Sequence, residues 1–95
     1  MIIKGIKCNK CGDIIHSRSR HDFHWCSCNS VAIDGGFDYL KIIGNREDWQ
    51  SVDVTVLPLE SEDDVKKILF DDWNKGTDKY GVIHEREWTN SKRSL

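Results

Sequence analysis

Residues 8–28 read CNKCGDIIHSRSRHDFHWCSC and hold every cysteine of the chain. Cys8 and Cys11 form one close pair, Cys26 and Cys28 a second, and fourteen residues separate the pairs. A tetrahedral zinc ion takes four thiolates at about 2.3 Å, and two close pairs carried on turns can converge on one such point. The spacing predicts a single structural zinc ion held by Cys8, Cys11, Cys26 and Cys28. With all four positions filled by protein, none remains for substrate or an activated water, so such an ion supports a fold rather than a reaction. His21 and His24 lie close to the second pair, and either is an alternative ligand in place of one cysteine, because imidazole also binds zinc. An iron–sulfur cluster or a redox dithiol explains less. The first pair opens no strand-to-helix redox motif, and one ion accounts for both pairs.

Turn chemistry follows each pair: Gly12 after Cys11, and Asn29 after Cys28, are residues that accept a left-handed backbone. Upstream, residues 2–6 read as a strand. Within the insert, residues 14–19 and 23–26 are expected to pair as a hairpin turning near Arg20-His21-Asp22. Downstream, two apolar runs, 31–33 and 37–43, flank Asp34-Gly35-Gly36 and predict a second hairpin. Val52, Val54 and Val56 alternate with polar residues, as a half-buried strand requires, and Pro58 ends that strand.

Residues 61–75 predict the main helix. Ser61 caps it, acids fill its first turn, and Val65, Ile68, Leu69 and Trp73 form one apolar stripe before Gly76 terminates it. Residues 80–84 form a short strand, and the polar residues 89–95 a frayed tail. The expected fold is α+β: zinc-ribbon-like hairpins extended into a small antiparallel sheet with the helix packed across one face. Residues 1–95 are read as a single zinc-stabilised domain.

A chain of 95 residues buries a limited core, so a metal staple contributes a large share of its stability. The net charge of −2 conceals a basic start of +3 over residues 1–30, an acidic middle of −7 over 31–78 and a basic end of +2 over 79–95. No apolar run approaches the ~20 residues of a membrane span, and the opening Met-Ile-Ile-Lys-Gly lacks the core of a secretory signal. A soluble cytoplasmic protein is therefore expected, in a reducing compartment where close cysteine pairs favour metal over disulfides.

Three groups of side chains bear on function. His16, Arg18 and Arg20 would share a strand face near Phe23 and Trp25, and cations beside aromatics grip nucleic acid. The competing account packs Phe23 and Trp25 beside the zinc turns and leaves the basic residues solvated. Glu62, Asp63, Asp64, Asp71 and Asp72, with Glu60 and Asp78 nearby, either cap and solvate the helix or form a surface that competes for a partner's basic groove. Asp34 and Asp38 bracket a turn and are read as turn residues rather than a cation site. Trp49, Trp73 and Trp88 are core or interface anchors. The chain has no H-E-x-x-H, no P-loop, no G-x-S-x-G and no deaminase signature, so no enzyme is expected.

Cys8-Asn9-Lys10-Cys11-Gly12-Asp13, Arg20-His21-Asp22-Phe23, Cys26-Ser27-Cys28 and Asp34-Gly35-Gly36 through Tyr39-Leu40 make residues 6–44 resemble a group of small zinc-ribbon-like proteins of phages and prophages. Asn29 stands where that group usually has glycine. Some small prophage metalloproteins of this kind are anti-CRISPR proteins that bind Cas9 and block DNA loading. The resemblance implies a non-enzymatic inhibitor of a Cas9-type effector in a bacterial host, with zinc holding the fold and an acidic surface engaging the partner. The alternative is a nucleic-acid-binding or regulatory ribbon that uses residues 16–25.

Overall fold

The computed structural model describes residues 1–37 and 39–84. The architecture is α+β, with two antiparallel sheets and one α-helix among the described residues. The strands are β1 (Ile2–Cys8), β2 (Ile14–His16), β3 (Asp22–Trp25), β4 (Ala32–Gly35), β5 (Leu40–Ile43), β6 (Trp49–Thr55) and β7 (Val82–Ile83). A 3₁₀ turn at Arg46–Asp48 leads into β6, and helix α1 spans Glu62–Lys75.

The first sheet has the order β6-β1-β2-β7, the second β3-β4-β5. β1 pairs with β6 along its full length, from Ile2 opposite Thr55 to Cys8 opposite Trp49. Because side chains alternate along a strand, the first sheet presents two apolar faces. On one, Ile3, Ile14, Val54 and Val56 pack with Val65 and Leu69 of α1. On the other, Ile6, Cys8 and Ile15 pack with Cys26, Val31 and Ile33 of the second sheet and its leading turn. The first sheet is thus the middle of three layers.

Several expectations hold in detail. The Ser61 hydroxyl accepts from the Asp64 N–H at 3.2 Å, and Gly76 closes α1 in the left-handed region with φ 69°. Val65 and Leu69 are fully buried, and the expected second hairpin forms as β4 paired with β5. Asp34 and Gly35, expected in its turn, instead belong to β4 opposite Lys41 and Leu40, and the turn begins only at Gly36. The strand expected at 80–84 is the short β7. Trp88, Asp38 and the tail at 89–95 lie outside the described residues.

The hairpin expected within the insert is not formed. β2 pairs with β1 and β7, whereas β3 pairs with β4, so residues 17–21 carry the chain from one sheet to the other. The cause is visible in the polar groups of that crossing. Ser17 Oγ donates to the Gly35 carbonyl at 2.8 Å, and the Arg18 N–H donates to Asp22 Oδ2 at 2.9 Å, bonds that hold the crossing open. Phe23 and Trp25 are correspondingly turned outward, 47% and 42% exposed and edge to face at 6.1 Å, rather than packed in the core. Asp22 and His24, the alternate residues of β3, face inward.

Arg18 is the centre of this inward-facing cluster. Only 6% exposed, it places Nε 2.9 Å from Asp22 Oδ2, Nη2 3.2 Å from Asp22 Oδ1, and Nη1 2.9 Å from both Asp72 Oδ2 and Asp78 Oδ1. Gly81 closes the cluster at φ +98°, where an added Cβ would lie 3.1 Å from Arg18 Nε. Asp72 also accepts from the Thr77 hydroxyl and from the Lys79 and Tyr80 N–H groups. Burial raises the Asp72 carboxyl, yet these donors together with Arg18 outweigh it and bring it down to about 2.

Removing Arg18 strands two buried carboxylates. Arg18→Ala is expected to cost about 3–5 kcal/mol in urea unfolding at constant zinc. The sign for Asp72 follows from its lowered folded value: its contribution is complete above its ordinary 3.8 and is lost as pH falls towards about 2. The gap in urea midpoint between the native chain and Asp72→Asn should therefore be widest near neutrality and narrow below about pH 4.

Candidate metal centre

Cys8 ends β1 and Cys11 sits on the turn that joins β1 to β2, while the second pair sits on the turn between β3 and β4. The local fold of each turn follows from its backbone. Gly12 takes φ 78° and donates to the Cys8 carbonyl at 2.9 Å, while Asn29 takes φ 60° and donates to the Cys26 carbonyl at 3.0 Å. Both expected left-handed positions are therefore occupied. The Cys11 N–H also points at Cys8 Sγ, 3.5 Å away.

The turns bring the four sulfurs within 4.8 Å of one another. Cys28 Sγ stands 3.6 Å from Cys8 Sγ and 3.6 Å from Cys26 Sγ. Four sulfurs about 2.3 Å from a zinc ion would stand about 3.8 Å apart in a regular tetrahedron, so the thiols are spaced for one ion. The donor set fits as well, since four thiolates are the common closed zinc site. The four cysteines form a plausible single zinc-binding site.

Electrostatics give the ion a reason to be there. Burial pushes the Cys8 thiol up and the Cys11 thiol up to about 12, so neither ionises readily on its own. Cys28 goes the other way, to about 6, because the hydroxyl and N–H of Ser30 favour its thiolate. A divalent cation supplies the positive charge that four neighbouring thiolates require, and its binding releases their protons. Asp13 ties the two turns together: its Oδ2 accepts from the Ser27 N–H at 2.9 Å, and its backbone carbonyl accepts from the Cys8 N–H at 2.8 Å. Burial raises the Asp13 carboxyl, but Ser27 and His84 outweigh it and leave it below the usual range.

Neither histidine takes a cysteine's place. His24 directs Nδ1 at Asp22 Oδ1 (3.0 Å) and Nε2 at the Gly81 carbonyl (2.9 Å), so both ring nitrogens are committed to oxygen acceptors. His21 is exposed on the crossing between the sheets.

The other candidate residues are divided by burial. His16 and Arg18 do not present a cationic face, because both are buried. His16 accepts from the Gly81 N–H through Nε2 and reaches the Ser17 carbonyl through Nδ1; burial pushes its pKa down. Arg20 alone of that trio is exposed. On α1, Glu62, Asp63, Asp64 and Asp71 are exposed, but Asp72 belongs to the Arg18 cluster and is only 4% exposed. Helical spacing carried that signal: Asp72 stands three residues beyond Leu69 and seven beyond Val65, on the buried stripe. Trp49 packs against the core between the sheets with the Arg46 guanidinium 4.3 Å above its ring, and Trp73 tilts against Phe70.

The site and the second sheet coincide with one known family segment. Residues 1–44 match a domain of unknown function, DUF7695. The match contains β1 to β5 and all four cysteines, and it stops before β6 and α1. Its description states no activity, phage origin or partner. No curated protein and no solved structure matches the chain.

Cys8→Ser and Cys26→Ser remove one ligand from each turn. Elemental analysis of the native chain should give one zinc per chain, and each variant should lose that zinc together with cooperative unfolding. A variant that stays fully folded without metal would contradict the structural role.

Proposed function

We propose that this chain is a non-enzymatic, zinc-stapled binding protein that acts by occupying a protein partner in the cytoplasm of a bacterial host. The observation that carries the reading is the closed cysteine site. Four thiols converge on one point and leave a bound ion no position for substrate, so the zinc serves the scaffold and function falls to the surfaces.

The finer form of the proposal is a stoichiometric inhibitor of a CRISPR effector of the Cas9 type. It is supported by the likeness of residues 6–44 to small phage and prophage zinc-ribbon proteins and by the exposed acids Glu62, Asp63, Asp64 and Asp71. These carboxylates fill the first turn and the outer side of α1, where they resemble a stretch of nucleic-acid charge presented to a basic groove. Asp72 is withdrawn from that surface. The alternative nucleic-acid reading of the insert loses His16 and Arg18 to the interior and keeps only Arg20.

A direct test measures binding of the zinc-loaded chain to a purified Cas9–guide complex and the DNA cleavage that remains. The expected result is loss of cleavage at one inhibitor per effector, with combined reversal of Glu62, Asp63, Asp64 and Asp71 to Lys weakening capture by at least about tenfold, as opposed charges are removed from the interface. Unchanged capture by a folded charge-reversal variant would refute the acidic-surface form. Failure of the native chain to bind the effector would refute the finer proposal outright.

A further inference from the structure

A second surface lies beside the acidic one and has the opposite character. Residues 18–21, on their way from β2 to β3, run alongside α1 and leave a groove of about 380 Å³ between them. Its apolar lining comes from Phe37, Phe70 and Trp73, and its edges carry Arg20, His21 and Lys66. Lys66, Phe70 and Trp73 share one side of the helix by their spacing of four and three residues. Phe70 is 46% exposed, and its ring centroid lies 5.9 Å from that of Trp73 at 53°. A single exposed apolar side chain is ordinary, but a contiguous apolar patch rimmed by polar residues marks a binding site, and Phe37, Phe70 and Trp73 line this groove together.

Charge and shape together select the occupant. An apolar floor takes one large apolar side chain, and the Arg20 and Lys66 edges favour carboxylates on either side of it. Lys66 already holds a carboxylate within the chain, Glu62 at 3.6 Å, in an exposed pair weak enough to exchange. A nucleic acid strand fits less well. A polyanion needs a track of several cations, whereas the edges of this groove offer two fixed charges, Arg20 and Lys66. A short segment with one anchor meets only the edges it needs.

We infer that the groove between α1 and residues 18–21 docks a short peptide segment of a protein partner, one that presents a single large apolar side chain flanked by carboxylates. The groove is lined by none of the acidic residues of the surface proposed above. Although Glu62 pairs with Lys66 at its edge, Phe70→Ala changes the groove without touching that surface, so the inference stands whether or not that proposal does. A protein with both surfaces would engage a partner through a basic region and an acidic segment at once.

The test is fluorescence anisotropy of the zinc-loaded full chain with three labelled nonapeptides, each with glutamates flanking a central Leu, Phe or Trp. At least one should bind saturably, and replacing its central residue by Ala should weaken binding by about tenfold or more, as expected for an anchor in a pocket. Phe70→Ala and Lys66→Glu should each produce a comparable loss with zinc content unchanged. Lys66 is an exposed helix position, so its variant reports on the groove even if Phe70→Ala unfolds. The inference is overturned if no peptide binds saturably up to about 1 mM, a limit near 4 kcal/mol of binding free energy. It is equally overturned if the Ala peptide binds as well, or if folded variants bind undiminished. Tighter, Phe70-dependent binding of an oligothymidylate of the same charge would reassign the groove to nucleic acid.

Discussion

A buried guanidinium is what the arrangement of layers depends on. Arg18 leaves the first sheet, meets Asp22 at the start of β3, reaches Asp72 on the last turns of α1 and touches Asp78 beyond the helix. A charge taken out of water costs several kcal/mol unless its partners are well placed, and here each partner comes from a different part of the chain. The cluster therefore specifies an arrangement as much as it stabilises one. If the helix slid or the second sheet rotated, buried carboxylates would lose their counter-ion. Among the described residues, no buried side-chain nitrogen or oxygen lacks a hydrogen-bond partner.

The cysteines make the matching connection elsewhere. One pair belongs to the first sheet and the other to the turn leading into β4, so a shared ion ties the same two sheets that the Arg18–Asp22 pair ties. Between these two fastenings lies the apolar contact of Ile6 and Ile15 with Val31 and Ile33. That contact alone is small for two sheets, and short chains bury too little surface to rely on it. Polar and metal crosslinks supply what the core lacks. They also explain why the strands can be so short, since β2 contributes three residues and β7 two.

Local signals in the sequence reached as far as local physics does. The Ser61 cap, the stripe through Val65 and Leu69, the Gly76 stop and the turn chemistry at Gly12 and Asn29 depend on neighbours within a few residues, and each stands where spacing placed it. The cysteines were legible for a different reason, because tetrahedral geometry restricts their spacing. The path of the insert was not legible. Asp22-Phe23-His24-Trp25 alternates polar with aromatic, and either set satisfies one face of a strand until the partner strand is known. Burying the aromatics is the default, and it fails here because Arg18 and Gly81 offer Asp22 and His24 a complete set of polar partners. Arg18 and Asp72 are separated by 54 positions, and no local pattern links them.

The family match at residues 1–44 acquires a structural limit from the same contacts. Every strand of the second sheet lies within it, as do all four cysteines. Yet β1, which the match includes, forms its longest ladder with β6, and Ile3 packs on Val54, Val65 and Leu69. Arg18 likewise needs Asp72. The matched segment therefore carries the metal site complete but only half of the packing that buries its first strand. Residues beyond 44 both finish the scaffold and supply α1, whose outer faces carry the exposed carboxylates together with Phe70. A chain could keep the zinc segment and change its partner by changing the outer faces of α1, provided that Val65, Leu69 and Asp72 stayed to hold the inner one.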